Sequence, residues 1–177
     1  MLIKTHDISP PQPSQETTPE SISIRTEEQT PRFLSDPSQL LTRIIGQLSP
    51  MEAVHFYSWA NFNLVRLIIY ILQQTGPAHL FMTSYSFSQK SIESLLKRKN
   101  DGRLLSVKLL IDNRVKVMSP KPFQMLSGSF DYRCISVHAK VALIWNNSWQ
   151  ISIVTSQNAT DNPKLERGTI YTYPDLS

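Results

Sequence analysis

Apolar positions recur along this chain with two different periods, and the switches between them mark out its elements. Leu40, Leu41, Ile44, Ile45 and Leu48 keep i, i+3, i+4 spacing, which predicts a short amphipathic helix over Ser38 to Leu48. Gly46 weakens that helix and Ser49-Pro50 ends it. Val54 to Trp59 is an aromatic-rich run that fits a strand or a turn of helix. Leu64, Leu67, Ile68, Ile71 and Leu72 return to the helical repeat, with a firm stop at Gly76-Pro77. A strand follows over about His79 to Tyr85. Ser88 then reads as the N-cap of a helix whose buried stripe is Ile92, Leu95 and Leu96, closing at Asn100-Asp101-Gly102. Leu104 to Ile111 is a strand, and the resulting βαβ unit implies a parallel pair. Asn113 to Arg133, with Ser119-Pro120-Lys121-Pro122 and Ser127-Gly128-Ser129, reads as loops around a short segment. Alternation along Ile135 to Ile144 predicts one strand, Trp149 to Thr155 its antiparallel neighbour, and Thr169 to Tyr173 a last strand.

The pattern is therefore α/β, a sandwich with a mixed central sheet and helices on its faces. At 177 residues, 40% apolar and 18% charged, the chain has room for one core and a tail. Six of the twelve prolines fall in the first 37 residues, among Ser, Thr, Gln and Glu and without apolar periodicity. Residues 1 to 35 are expected to form a disordered or partner-ordered tail, and 36 to 177 the folded domain.

Charge sharpens this division. Lys4, Arg25 and Arg32 against Asp7, Glu16, Glu20, Glu27 and Glu28 leave the tail at −2, so the domain holds +6 of an overall +4. A basic domain attracts polyanions, and phosphodiester backbones are the commonest. The longest apolar run, Leu64 to Leu72, is interrupted by Arg66 and too short to span a bilayer, and the N-terminus lacks the apolar core of a signal peptide. Cys134 is a lone cysteine. A cytoplasmic address without membrane insertion is expected.

The chemistry gathers near the C-terminus. His138-Ala-Lys140 places an imidazole and an ammonium at spacing two, on one face if the segment is a strand. Ser156 and Asn158 follow at the end of the next strand, and Glu166 lies 28 residues after His138. The four histidines, 6, 55, 79 and 138, lack metal-ligand spacing, so neither a metal nor a cofactor is expected.

This set of HxK, Ser-x-Asn and Glu, preceded by Leu80-Phe81-Met82-Thr83-Ser84-Tyr85-Ser86-Phe87, a helix, Asp101-Gly102 and the strand Val107 to Asp112, resembles the phospholipase D (HKD) superfamily over roughly residues 51 to 177. With one HxK, it resembles the small nuclease-like members, which build one active site from two subunits. The resemblance implies a phospholipase D-like sandwich and a metal-independent phosphodiesterase acting on DNA or RNA as a homodimer. In it His138 is the nucleophile, Lys140 and Asn158 hold the nonbridging oxygens, Glu166 bonds the far nitrogen of a histidine, and Ser156 supports the phosphate or the histidines.

The chain departs from the family at two positions: Trp145 stands where an Asp is usual, and Thr155 where a Gly precedes the Ser. These departures motivate a second reading, a nucleic-acid-binding protein without turnover; a phospholipid hydrolase is a third. Lys116, Lys121 and Arg133 are candidate backbone contacts, whereas Lys97-Arg98-Lys99 complements a helix C-terminus. Tyr85, Phe56, Tyr57 and Trp59 read as core. The proline-rich tail is a candidate tether for a protein partner.

Overall fold

The computed structural model describes residues 23–25, 40–59 and 61–173, the first three as backbone only. The described residues form β1 (Ser23–Arg25), α1 (Leu40–Ile44), β2 (Ala53–Trp59), α2 (Leu64–Thr75), β3 (Ala78–Ser84), α3 (Gln89–Asn100), β4 (Leu104–Asp112), α4 (Val115–Met118), α5 (Pro120–Ser127), β5 (Asp131–Ile135), β6 (Lys140–Trp145), β7 (Gln150–Thr155) and β8 (Leu165–Tyr173). The strands form one mixed sheet in the order β1-β2-β8-β7-β6-β3-β4-β5. Of the tail expected over residues 1 to 35, Ser23–Arg25 make an edge strand antiparallel to β2; the rest lies outside the described residues.

Local signals explain the helices that frame the site. Asn63 Oδ1 accepts the Arg66 amide at 3.0 Å and so caps α2, whose Leu64, Val65, Leu67, Ile68, Ile71 and Leu72 are buried. Ser88 caps α3 in the same way through the Ser91 amide. Helix α1 is shorter than its apolar spacing predicts, because Gly46 turns the chain at φ 70° and its carbonyl accepts from the Tyr70 hydroxyl and the Gln74 amide. β3 and β4 are parallel, as a right-handed βαβ unit requires.

Register divides the sheet into two unlike faces. Val54, Phe56, Leu80, Met82, Leu109, Ile111, Ala142, Ile144, Ile151, Ile153 and Ile170 point one way and join the buried stripes of α1, α2, α3 and α5 in one core. On the opposite face Tyr57, Leu143, Trp145, Val154, Tyr171 and Tyr173 each keep more than a third of their surface exposed.

One predicted strand is two. Ile135 to Ile144 does not run continuously: β5 ends at Ile135, β6 begins at Lys140, and β4 and β3 lie between them in the sheet. Three strand spacings are about 14 Å, and the five steps from Ile135 to Lys140 reach at most about 17 Å. The connection is therefore nearly taut. It bends at Ser136 and then crosses the ends of β4 and β3 with little slack. His138 sits on this crossover, not within a strand.

Candidate active site

His138, Lys140, Ser156, Asn158 and Glu166 gather at one end of the sheet, where β2, β3, β4 and β7 finish and β6 and β8 begin. Here β3 changes from a parallel neighbour, β4, to an antiparallel one, β6. Open α/β sheets bind ligands outside the carboxyl ends of their strands.

The His138 crossover is anchored twice. Asp112, the last residue of β4 and only 2% exposed, accepts the Val137 amide at 3.0 Å. Thr83, near the end of β3, donates to the Ala139 carbonyl at 2.7 Å and accepts the Val141 amide at 3.0 Å. An exposed imidazole is thus carried on backbone fixed on both sides. Lys140, 7% exposed, places its Nζ 3.2 and 3.3 Å from the two ring nitrogens of His138. An ammonium only donates, so a ring nitrogen that meets it presents a lone pair. Burial draws the Lys140 pKa below that of an ordinary lysine, while the Glu166 carboxylate pulls it back up.

Ser156 follows β7, and its hydroxyl donates to Glu166 Oε2 while accepting the Arg167 amide at 3.0 Å. Glu166 Oε1 accepts the Asn162 side-chain amide at 2.7 Å. The hydrogen bond to a histidine that the resemblance implies for Glu166 is not formed with His138 of the same chain; its carboxylate is engaged by Ser156 and Asn162, across from Lys140.

The Asn158 loop is strapped to the β3–α3 turn. Ser84 Oγ accepts the Ala159 amide at 3.1 Å, the Ala159 carbonyl accepts the Ser88 amide at 3.0 Å, and the Asn158 carbonyl receives the Leu64 amide at the start of α2. Asn158 Oδ1, Gln157 Oε1 and Ser58 Oγ are buried at this sheet end without a hydrogen-bond partner among the described residues. Orphaned polar atoms are rare in folded interiors, and three of the four among the described residues lie here, the other being Arg98 Nε on α3.

The two departures from the family pattern acquire physical explanations. Trp145 closes β6 at the opposite end, about 17 Å along the strand from Lys140, where it stacks on His79 with centroids 5.4 Å apart. The chemistry is out of its reach. Thr155 pairs with Gly168 across β7 and β8. A Cβ at Gly168 would lie 2.9 Å from Thr155 Oγ1 and 2.3 Å from Phe56 Cζ, so the space opposite Thr155 is supplied by a glycine on the neighbouring strand.

Lys116 on α4 and Lys121 on α5 are exposed between β4 and the crossover, and Arg133 is exposed on β5. Lys116 Nζ lies 5.8 Å from the Phe123 ring centroid. Sequence reasoning missed Asp112, Thr83 and Arg114, and it assigned Tyr85 to the core. Tyr85 is instead half-buried at the site, its ring 5.2 Å from that of His138 and 4.3 Å from the Arg114 guanidinium. A carboxylate closing the apolar strand Leu104–Asp112 was the available signal for Asp112. Phe56 is core, whereas Tyr57 lies on the open sheet face.

Among the described residues no group of three or more His, Cys, Asp or Glu could hold a metal ion, and no helix is long and apolar enough to cross a membrane.

No protein-family model matches the sequence, and the comparison with curated proteins gives no match. Among solved structures, the chain is similar to polyphosphate kinase from Porphyromonas gingivalis at 12% identity and a TM-score of 0.50, over 68% of this chain and 23% of that one. It is also similar to NucT from Helicobacter pylori, at 17% identity and a TM-score of 0.46, over 71% of this chain and 87% of that one. A third similarity is to phosphatidylserine synthase from Haemophilus influenzae, at 14% identity and a TM-score of 0.44, over 72% of this chain and 36% of that one. The chain thus spans less than a quarter of the kinase. With its mixed sheet, its parallel β3–β4 pair and helices packed on the sheet, the chain has a mixed α/β fold that it shares, over 68% of its length, with part of that kinase.

Proposed function

We propose that this protein is a metal-independent phosphodiesterase that cleaves nucleic acid through a phosphohistidine, with one active site shared by two copies of the chain. The observation that carries this reading is the buried Lys140 ammonium within 3.3 Å of both His138 ring nitrogens, on a crossover fixed by Asp112 and Thr83. A His138 ring nitrogen attacks phosphorus, forming an N–P bond as the P–O bond to the leaving alcohol breaks. His138 of the second copy gives that oxygen a proton. It then takes a proton from water, whose oxygen displaces the histidine from phosphorus. Lys140 and the Asn158 amide stabilise the nonbridging oxygens, and Ser156 orders the site through Glu166. A two-fold axis makes the interface isologous. The +6 carried by residues 36 to 177, with Lys116, Lys121 and Arg133 exposed, favours a polyanionic substrate.

The test is cleavage of labelled single- and double-stranded DNA and RNA in excess EDTA, wild type against His138→Ala, with sedimentation to give the oligomeric state. Cleavage by the wild-type dimer alone is expected. Dependence on added magnesium, or full activity in the variant, refutes the mechanism; salt-sensitive binding with no cleavage identifies a binding module instead. Phosphatidylcholine vesicles in the same assay test a lipid phosphodiester.

A further inference from the structure

Arg114 is held in an unusual way for an exposed arginine. Its Nε donates to Asp112 Oδ1 at 2.9 Å, and the same carboxylate oxygen accepts its backbone amide at 2.9 Å. Asp112 is buried while the Arg114 side chain is 58% exposed, so the anchor is fixed and the cation faces outward. The flat guanidinium lies 4.3 Å from the Tyr85 ring centroid, and Tyr85 in turn packs against His138 at 5.2 Å. A guanidinium needs both Nε and a terminal nitrogen for a bidentate carboxylate pair. Here only Nε is used, and the terminal nitrogens have no hydrogen bond among the described residues. A salt bridge that served only to neutralise Asp112 would engage both.

We infer that Arg114 is a second phosphate subsite, which grips the phosphate of a nucleotide next to the scissile one and thereby selects a polynucleotide over an isolated phosphodiester. This rests on the phosphodiesterase reading above. Several features fit the role. The side chain is immobilised on two sides before substrate arrives, so little rotamer entropy is lost on binding. Stacking on Tyr85 fixes the plane of the fork. The subsite is two ring contacts from the nucleophile, beside the scissile phosphate and not on it, where Lys140 already stands. Asp112 couples the two places physically, since one carboxylate anchors both Arg114 and the Val137 amide next to His138.

The experiment compares wild type, Arg114→Gln and Arg114→Lys on two substrates: a thymidine oligonucleotide, and the p-nitrophenyl ester of thymidine 5′-phosphate, which lacks a neighbouring phosphate. The expected result for Arg114→Gln is a fall of tenfold or more in the ratio of kcat/KM for the oligonucleotide to that for the ester, carried by KM. The log-log salt dependence of oligonucleotide KM should lose about one unit of slope. Arg114→Lys, which keeps the charge and loses the fork, should recover the slope and only part of the ratio. A ratio unchanged from wild type, or equal losses on both substrates, overturns the subsite and leaves Arg114 as a brace for Asp112. If the wild-type protein cleaves neither substrate, the phosphodiesterase reading has failed by itself. The subsite is then decided by oligonucleotide binding, where a slope unchanged in Arg114→Gln overturns it and a slope lower by about one upholds it.

Discussion

Gly168→Ala isolates the device that lets this chain carry Thr155 beside Ser156. Gly168 is in β8, flanked by Phe56 of β2 on one side and Thr155 of β7 on the other. An added Cβ would meet Phe56 Cζ at 2.3 Å, Phe56 Cε1 at 2.7 Å and Thr155 Oγ1 at 2.9 Å. Comfortable carbon contacts are about 3.5–4.0 Å, so the overlap with the ring exceeds 1 Å, and that ring is fully buried and packed on Phe62. Two effects oppose each other. Replacing a strand glycine with alanine gains about 0.5–1 kcal/mol in backbone entropy, whereas overpacking a close-packed interior costs about 1–3 kcal/mol. With obstruction on both sides the steric cost wins, and a net loss of about 2 kcal/mol is expected. For a domain of this size that lowers Tm by about 4–8 °C. Urea unfolding of wild type, Gly168→Ala, Phe56→Leu and the double variant measures it. Phe56→Leu removes the obstructing ring atoms, so the double variant should be more stable than the two single losses predict, by about 1 kcal/mol. Thr155 Oγ1 also accepts the Gln157 amide, so the strain should reach the Ser156–Asn158 loop and reduce cleavage as well. Gly168→Ala within about 0.5 kcal/mol of wild type, with additive behaviour in the double variant, would refute the account.

Lys140→Met should abolish cleavage while leaving the fold as stable as wild type or more so, because it replaces a buried ammonium with an apolar chain of similar length; urea midpoints and the EDTA assay check the two halves. Lys140 has a folded pKa below its ordinary 10.5, so its burial penalty is full below that folded value and fades as pH rises through it to the unfolded one. The alkaline gain in stability should therefore be smaller in the variant. Asp112→Asn addresses the acid side. The Arg114 side chain and backbone, with the Val137 amide, hold the Asp112 carboxyl at about 2 against an ordinary 3.8. A depressed carboxyl contributes stability that is full above its unfolded pKa and lost as pH falls through the folded one. Wild type should lose that part between about pH 4 and pH 2, and Asp112→Asn should lack this limb in a pH series of urea midpoints.

What the sequence reveals and conceals follows from the range of the interactions concerned. Helices α2 and α3 are legible because their signals are local: an apolar stripe at helical spacing, Asn63 or Ser88 at the cap, and Gly76-Pro77 or Gly102 beyond the end. The β6–β7 pair is legible for the same reason, through alternation on either side of a four-residue turn that Asn146 closes by accepting the Ser148 and Trp149 amides. His138, Lys140, Ser156, Asn158 and Glu166 announce themselves by residue type and spacing. Their supports do not. Asp112 reaches Val137 across 25 positions and Thr83 reaches Val141 across 58, and nothing near either residue advertises that bond. The space for Thr155 is equally hidden, because it is supplied by Gly168 on another strand.

The misread crossover is the most instructive case. Alternation is not evidence of pairing, and after the bend at Ser136 the chain through Ala139 must bridge β4 and β3 with almost no slack. The same tautness that disguises it as a strand suits the proposed chemistry. A slack loop would let the imbalance between an exposed imidazole and a buried ammonium be relieved by moving His138 outward into solvent. A crossover stretched over two strand ends, and tied to Asp112 on one side and Thr83 on the other, removes that freedom before any substrate binds. Positioning of His138, the proposed nucleophile, is therefore a property of strand order: it requires β5 at the sheet edge and β6 three strands inward, with only four residues between them. Lengthening that connection would leave every candidate side chain in the sequence and lose the geometry that makes them a site.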